Sequence, residues 1–570
     1  MCAIVGLFDP AGEDPSELER VALRMQRVHS FRGPDGAGVW ANARVALGSV
    51  RLAIQGDMKL GLQPLEDRWG GHLVFNGEIY QPRRVLEGLG EAFHPEDSDG
   101  VALEAVLALQ GPAGLKGLRG MFAAARYDLG SGSLTLVRDT WGQKPLYIAR
   151  WRNGWAFSST IAALEVAVGP LRLRRAAPFE YLIYKSVGGC HTSFEGVEQV
   201  PPGSWLRIRP DGEVERGRYA ELPTELASHG APGDVKLVLD EAIAARGSDR
   251  FVNALFLSGG ADSAIVAASL VRQRRELPMR AFSIGYDVPG GEDETGFARR
   301  MADHLGLEHE VVRLRADQVP SLFEEAARFT EDPIQDPVTL PTLLLARRVS
   351  EVTKVAISGD GSDEFWGGYE RFDDPPDTIA AYLPRAMVFH PEELGLDAPP
   401  ASYLDGVEIA GGDNLSPLDK ILRLECANRL RNYHLARVDK LGMASALEIR
   451  SPFLDARVTA LAHSLHADAK RPNGRPKGLL LDAFAEDLPA WLVNRRKQPF
   501  TVPVATWLRG DLRAYVRDTL SDTNAFVRAY VDPRHYLDAF DERGEAGTAT
   551  RIWSLLQLEA WHRVWKDRLA

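Results

Sequence analysis

Apolar residues in the second half of the chain fall in short runs separated by longer, one-sided stretches. Asn253 to Leu257 is apolar, too short for a helix and followed by glycines, so it predicts a buried strand; Ala264 to Val271 predicts a helix packed by its apolar face. Arg280 to Tyr286 repeats the strand pattern. Glu292-Asp293-Glu294 then begins a helix with Phe297, Met301, Ala302 and Leu305 on one face, stopped at Gly306, and Lys354 to Ile357 is the next strand. Strands alternating with helices at this spacing predict a parallel, doubly wound sheet, which binds ligands beyond the carboxyl ends of its strands. The first half shows no such alternation. It has a first buried strand at the very start, a turn at Arg32-Gly33-Pro34-Asp35-Gly36, and short strands at Arg51 to Ile54 and His72 to Val74. Residues 195 to 235 are rich in Pro and Gly and contain a hairpin-like Leu206 to Gly212. The expected division is a first domain over 1–210, a linker over 211–235 and a second domain over 236–570.

Composition narrows this little. A chain of 570 residues exceeds a single core, and 45% hydrophobic with 26% charged residues is ordinary for a globular protein. With 79 acidic and 67 basic side chains the net charge is −12, which argues against a nucleic-acid scaffold. No apolar run approaches the roughly 18 residues of a membrane span and no signal-peptide layout is present, so a soluble, cytoplasmic protein with no membrane partner is expected. Three cysteines far apart, Cys2, Cys190 and Cys426, argue against a disulfide framework.

Two stretches carry chemistry. Phe256-Leu257-Ser258-Gly259-Gly260-Ala261-Asp262-Ser263 joins a strand to a helix: its glycines admit close approach, its serines add hydroxyls, and the first helical turn points unpaired N–H groups at the same place. That suits pyrophosphate, with magnesium between it and Asp262. A plain turn also uses Gly and Ser, and no Walker A pattern occurs. Farther on, Ser358-Gly359-Asp360-Gly361-Ser362-Asp363-Glu364-Phe365-Trp366 crowds three carboxylates into a Gly-rich turn, an arrangement tolerable with a cation between them. At the other end, Cys2 follows the initiator Met; once Met is removed it carries a thiol and a free amine with an ordinary pKa of about 7.7–8.0, a nucleophile and its base on one residue. Alone, Cys2 reads more readily as a chance residue at the mouth of a first buried strand.

Behind Cys2 come Arg32-Gly33-Pro34-Asp35, Arg51-Leu52-Ala53-Ile54, Phe75-Asn76-Gly77-Glu78, Asp97-Ser98-Asp99 and Arg138-Asp139. Together these resemble the glutaminase domain of class II amidotransferases over about the first 165 residues. The resemblance implies an α+β N-terminal-nucleophile sandwich in which Cys2 attacks L-glutamine, Asn76 and Gly77 form the oxyanion hole, and Arg51, Leu52, Ala53, Ile54, Gln55, Glu78 and Asp99 bind glutamine. Two departures stand out, Phe31 for a common His and Ser159-Thr160 for a common Ser-Glu.

The Ser-Gly-Gly-x-Asp-Ser loop resembles that of the ATP pyrophosphatases. With Ser358 to Tyr369, Asp439-Lys440-Leu441-Gly442-Met443, Glu448 to Asp455, Lys477 and Arg496-Lys497-Gln498-Pro499-Phe500, the second half resembles glutamine-hydrolysing asparagine synthetases. This implies a synthetase domain with a largely helical C-terminal part. It assigns ATP to Phe256, Leu257, Ser258, Gly259, Gly260, Asp262, Ser263, Ile284, Ser358 and Gly359, Mg²⁺ to Asp262 and Asp363, and catalysis to Asp360 and Lys477. The implied reaction is amidation of a carboxylate through its acyl-adenylate, with aspartate the simplest acceptor, an internal ammonia passage and a homodimer. Open alternatives are a natural-product carboxylic acid as acceptor, an intramolecular amide former like β-lactam synthetases or lasso-peptide cyclases, and a sensor that binds without turnover. Residues 375 to 417 match least; a lid or an oligomer contact is the expectation there.

Overall fold

The computed structural model describes residues 2–56, 61–66, 68–94, 97–288, 295–407, 409, 415–495 and 501–570. Two six-stranded sheets form the first part. In one, the strands run in the spatial order Val197–Gln199, Tyr147–Trp151, Gly154–Ser158, Cys2–Phe8, Val45–Arg51, Gly36–Ala41; in the other, Val214–Arg218, Ser204–Ile208, Leu134–Arg138, Gly120–Asp128, Gly71–Ile79, Leu65–Glu66. The recorded pairings are antiparallel. Side chains alternate along the first strand: Ile4 and Phe8 meet Val74, Ala123 and Leu136 of the other sheet, while Val5 and Leu7 face the helix Pro15–Arg27 through Leu18 and Met25. A strand covered on both faces reads as one apolar run, which is why no alternation marks it in the sequence. The helix Gly100–Leu109 covers the outer face of the second sheet, completing the sandwich.

Three expectations need adjustment. Arg51 ends the strand Val45–Arg51 rather than heading one, and Leu52, Ala53 and Ile54 form the buried loop after it. The strand read at His72 to Val74 runs from Gly71 to Ile79, because Gly77 can pair in the ladder where a side chain could not: its Cβ would sit 2.0 Å from the Met121 carbonyl oxygen. Within the stretch read as linker, Val214–Arg218 pairs with Ser204–Ile208, completing the hairpin legible at Leu206 to Gly212.

The second part holds a five-stranded, fully parallel sheet in the order His309–Leu314, Met279–Tyr286, Asn253–Phe256, Val355–Ile357, Glu448–Arg450. The chain winds outward in both directions from the central pair, Asn253–Phe256 and Val355–Ile357, so the topological switch point lies between them. The helix Ala261–Gln273 follows the first of these strands directly. Thr295–Leu305 buries Met301 and Ala302 of the predicted face, with Ala298 in addition, while Phe297 and Leu305 are half-buried; the acidic start at Glu292 to Glu294 lies outside the described residues. The remaining chain is largely helical, ending in Ala546–Trp565, whose Trp553, Trp561 and Trp565 are buried. Of the stretch 375–417, Tyr382, Phe389 and Tyr403 are buried, Tyr403 stacked on Tyr184 with ring centroids 3.8 Å apart. No helix among the described residues is long and apolar enough to cross a membrane, and Cys2, Cys190 and Cys426 are all free.

Candidate active sites

The end of the first strand and its neighbours gather one set of predicted residues. Cys2 pairs with Arg51 in the ladder, and its backbone N–H donates to Asn76 Oδ1 at 3.2 Å. Burial pushes the Cys2 thiol up, with Arg51 among the groups that oppose the shift. Asn76 is fully buried, yet its Nδ2 has no hydrogen-bond partner. A buried amide donor left unmade costs about 1–3 kcal/mol, so this one, unpaired among the described residues, can serve an acceptor brought in from outside. Gln63, which nothing in the sequence singles out, approaches Cys2 Sγ to 3.8 Å through its Nε2 while its Oε1 accepts from Phe75 N–H at 2.6 Å. Asp99 accepts from the Ile79 N–H at 2.7 Å, and burial raises its carboxyl to about 6. The loop from Leu52 to Gln55 is tied down by Ala53 N–H to Asp35 at 2.7 Å and by Arg51 Nη2 to the Gln55 carbonyl at 2.9 Å.

Glu78 is where the two halves meet. Its carboxylate receives Gln55 Nε2 and Arg450 Nη2, and Arg450 also binds Glu448 through Nε at 2.5 Å. Burial drives the Glu78 carboxyl upward and Glu448, against the same guanidinium, goes down. Of the two carboxyls sharing one guanidinium, Glu448 is therefore held as the anion and Glu78 is pushed toward its protonated form, as is the nearby Asp99.

The second set lies at the carboxyl ends of the central parallel strands, around a cavity of about 410 Å³. Phe256, Leu257, Ser258, Asp262 and Ser263 supply one wall, Ile284 another, and Ser358, Gly359, Asp360 and Asp363 a third; Gly259 and Gly260 belong to the same loop without lining the cavity. Gly259 takes φ +77°, and Ser258 and Ser263 hydroxyls lie 3.1 Å apart, closing the loop over the helix start. Gly359 has no room for a Cβ, which would fall 2.9 Å from Asp262 Cβ.

Lys477 does not line this cavity. Its Nζ sits behind the wall, 2.6 Å from both oxygens of Asp262 and 2.6 Å from Asp363 Oδ1, at a left-handed φ of +55°. Gly368 makes room for it: a Cβ there would lie 1.9 Å from Asp363 Oδ1 and 2.0 Å from Lys477 Cε. A non-glycine left-handed residue costs of order 1–3 kcal/mol and persists where its surroundings hold it, as here. The three carboxylates expected around one cation have instead separate partners. Asp360 takes the Ser358 hydroxyl at 2.6 Å and has Arg437 Nη2 at 3.7 Å, Asp363 takes Lys477, and Glu364 takes the Tyr369 hydroxyl at 2.5 Å. Successive residues in a short helical turn point in different directions, which a linear reading of the acids does not convey.

The two sets are joined through a buried interface. Leu52 and Ile54 pack on Val355 and Met443, so the loop after Arg51 rests against the start of the strand whose far end carries Ser358. Asp439 holds Arg32 Nη2 at 2.8 Å and Lys144 Nζ at 3.0 Å, and Asp455 holds Arg119 at 2.8 Å and Arg246 at 3.0 Å. Phe31 meets Phe329 edge-on at 5.0 Å. Next to Ser159-Thr160, Ala162 N–H donates to Glu331 at 2.8 Å, so both departures lie at contacts between the halves.

Residues 234–563 match the family model described as asparagine synthase, which is more than half of the chain, and residues 1–220 match that of a glutamine amidotransferase domain. The chain belongs to the asparagine synthase family. Asparagine synthase relatives that it resembles include asparagine synthetase [glutamine-hydrolyzing] 1 of Bacillus subtilis, 26% identical over 99% of this chain and 97% of that one. Asparagine synthetase B of Escherichia coli is 26% identical over 89% of this chain and 83% of that protein. Amidase chry2 of Gibberella zeae is 27% identical over 93% and 92%. As an asparagine synthase family member with a glutamine amidotransferase domain, the chain is an ATP-dependent ligase that takes nitrogen from glutamine. Of the segments that carried the likeness, Asp439 and Glu448 to Asp455 lie at the interface just described, and Arg496 to Phe500 lie outside the described residues.

Proposed function

We propose that the enzyme converts L-aspartate, L-glutamine, ATP and water to L-asparagine, L-glutamate, AMP and diphosphate. The observation that carries a coupled reaction is the strand Val355–Ile357. Its start supports the glutamine loop and its end begins the nucleotide loop, so three residues, about 10 Å of strand, lie between them. Aspartate is supported by the asparagine synthetases among the relatives. A second acceptor class, another pathway's carboxylic acid, has the similarity to amidase chry2 in its favour.

In the first half-reaction Cys2, freed of Met1, passes its thiol proton to its own amine and attacks the glutamine side-chain carbonyl. The oxygen that gains charge falls to Asn76 Nδ2 and the Gly77 N–H. Ammonia leaves with the proton returned, and water then releases glutamate from the thioester. Arg51 takes the α-carboxylate of glutamine, and the carboxyls of Glu78 and Asp99 its α-ammonium, whose charge draws both toward the anion. Asn76→Ala is expected to slow glutamine hydrolysis about 100- to 1000-fold while ammonia-supported amide formation persists, read by glutamate release beside AMP release.

In the second, a β-carboxylate oxygen of aspartate attacks the α-phosphorus of ATP and diphosphate departs against the Ser258 to Ser263 loop. Ammonia then displaces AMP from the acyl carbon and gives up a proton to Asp360. Among the described residues no three His, Cys, Asp or Glu side chains converge as a metal cage. Two carboxylates, Asp262 and Asp363, would hold Mg²⁺. When bound it would neutralise phosphate charge. Lys477, already shared by those carboxylates, orients both and adds positive charge beside the leaving group. Lys477→Met is expected to lower AMP formation about 100- to 1000-fold without altering glutamine hydrolysis alone.

A void of about 20 Å³ between the halves, bordered by Tyr147, Val187, Thr330, Asp439 and Lys440, is large enough for a molecule the size of ammonia and supports internal transfer. Retention of ammonia there keeps it from protonation. We extend the reading to a cytoplasmic homodimer with a glutaminase domain over 1–210 that also takes in the strand Val214–Arg218, a linker from there to 235 and a synthetase domain over 236–570. Mass identification of the amide formed from a panel of acids tests the acceptor: amidation of another acid in preference to aspartate would overturn the aspartate assignment.

A further inference from the structure

The 410 Å³ cavity is also lined by Glu364, Tyr369, Arg429, Tyr433 and His434, none of them in the Ser258 to Ser263 loop. Three of these come from Glu425–Leu435, eleven residues wound as a π-helix, a form that is rare and recurs at functional sites. Its wider turn puts Arg429, Tyr433 and His434 on one wall.

Arg429 is the unusual member. Its side chain is 16% exposed, and it makes no hydrogen bond to a described residue; the buried Nε has no partner. The nearest carboxylate, Glu425, is 3.9 Å away, beyond hydrogen-bond reach, and already takes Arg371 and the Tyr382 hydroxyl at 2.8 Å. The guanidinium instead lies 4.7 Å from the Tyr433 ring centroid. The other arginine of this wall, Arg437, is by contrast engaged by Asp336 and Asp360. Guanidinium donors with no hydrogen-bond acceptor among the described residues, at the edge of a cavity, are costly unless the cavity's occupant accepts from them.

We propose that Arg429 receives a second carboxylate of the acceptor, so that the enzyme selects acids carrying two carboxylates. This rests on the amidation reading above. ATP phosphates have their own donors in the Ser258 to Ser263 loop, and no recorded contact among the described residues joins that loop to Arg429. Glu364, 1% exposed and 3.2 Å from His434, lines the same cavity; burial raises its carboxyl to about 7, and a neighbouring ammonium would draw it back to the anion. Burial and the surrounding arginines keep His434 neutral. One cationic and one acidic group together match the carboxylate and ammonium of an α-amino acid whose side-chain carboxylate reaches Asp360.

The test compares L-aspartate with β-alanine, which lacks only the α-carboxylate, in ammonia-supported AMP release by the intact enzyme and by Arg429→Met and Arg429→Lys. The unmodified enzyme is expected to prefer aspartate in kcat/KM by about 10- to 100-fold, the range for a hydrogen bond to a charged group. In Arg429→Met the preference should collapse toward unity through a rise in the aspartate KM, with the ATP KM unmoved and Arg429→Lys in between. A preference that survives in Arg429→Met, or a shift confined to the ATP KM, would overturn the proposal alone. AMP release with no acid at all in the unmodified enzyme would overturn the amidation reading and this proposal with it. Thermal unfolding reports whether the variants fold; if Arg429→Met does not, equal use of aspartate and β-alanine by the unmodified enzyme still overturns the proposal, and preference for aspartate together with a raised aspartate KM in Arg429→Lys supports it.

Discussion

Replacing Cys2 by Ala is expected to remove glutamine-dependent amide formation, by about 10⁶-fold if it behaves as loss of a nucleophile does elsewhere, and to leave ammonia-supported formation standing. The substitution is nearly silent structurally. Cys2 lies in a strand, is 5% exposed, and uses its backbone N–H rather than its thiol to reach Asn76, so Ala keeps the ladder, the Asn76 contact and the packing. What disappears is the one atom able to form a thioester. The measurement is glutamate, AMP and amide from one reaction, with glutamine and then with ammonium as nitrogen source. Glutamate release that persists at the original rate would mean the nucleophile lies elsewhere. Loss of activity with both nitrogen sources would mean that the glutamine site also holds the synthetase half in its working form, through Glu78 and Arg450.

That link between the sites marks the limit of what the sequence discloses. The loop Ser258 to Ser263 and the pair Asn76-Gly77 were legible because their chemistry is local: glycines, hydroxyls and an amide within a few residues of a strand end. The parallel sheet was legible for a similar reason, since its short apolar strands alternate with one-sided helices. Arg450 and Glu78 are 372 residues apart, and neither has a pattern that names the other. Gln63 and Gly368 owe their places to tertiary neighbours, the thiol of Cys2 and the Lys477–Asp363 pair. The wall bearing Arg429 was partly hidden by period: a 3.6-residue repeat sets Arg429 and Tyr433, four apart, on one face but turns His434 away, and the wider π-winding brings His434 round to the same cavity. The strand at Gly71–Ile79 was read short because Asn-Gly usually ends a strand, and only the packing of the Met121 carbonyl explains why it continues here.

The interface has its own expected result: Asp439→Ala should destabilise the whole chain by about 3–5 kcal/mol, the cost of breaking a buried ion pair and leaving its partner charged. The upper part of that range is expected because two cations lose their partner at once. Arg32 and Lys144 come from the first half, Asp439 from the second, and the three side chains are 1%, 2% and 3% exposed. These contacts hold the Asp439 carboxyl below its ordinary value despite burial, so the stabilisation is present at neutral pH and is lost as pH falls through the lowered value. The gap between the native protein and Asp439→Ala in thermal or urea unfolding should therefore be full near pH 7 and narrow below about pH 4. Removing the charges together separates electrostatics from shape: Asp439→Leu with Arg32→Met and Lys144→Met should recover much of the loss, since no unpaired buried charge remains. If Asp439→Ala unfolds within about 1 kcal/mol of the native chain, water reaches the trio, the pairs behave as surface ones, and the halves are joined by their apolar contacts instead.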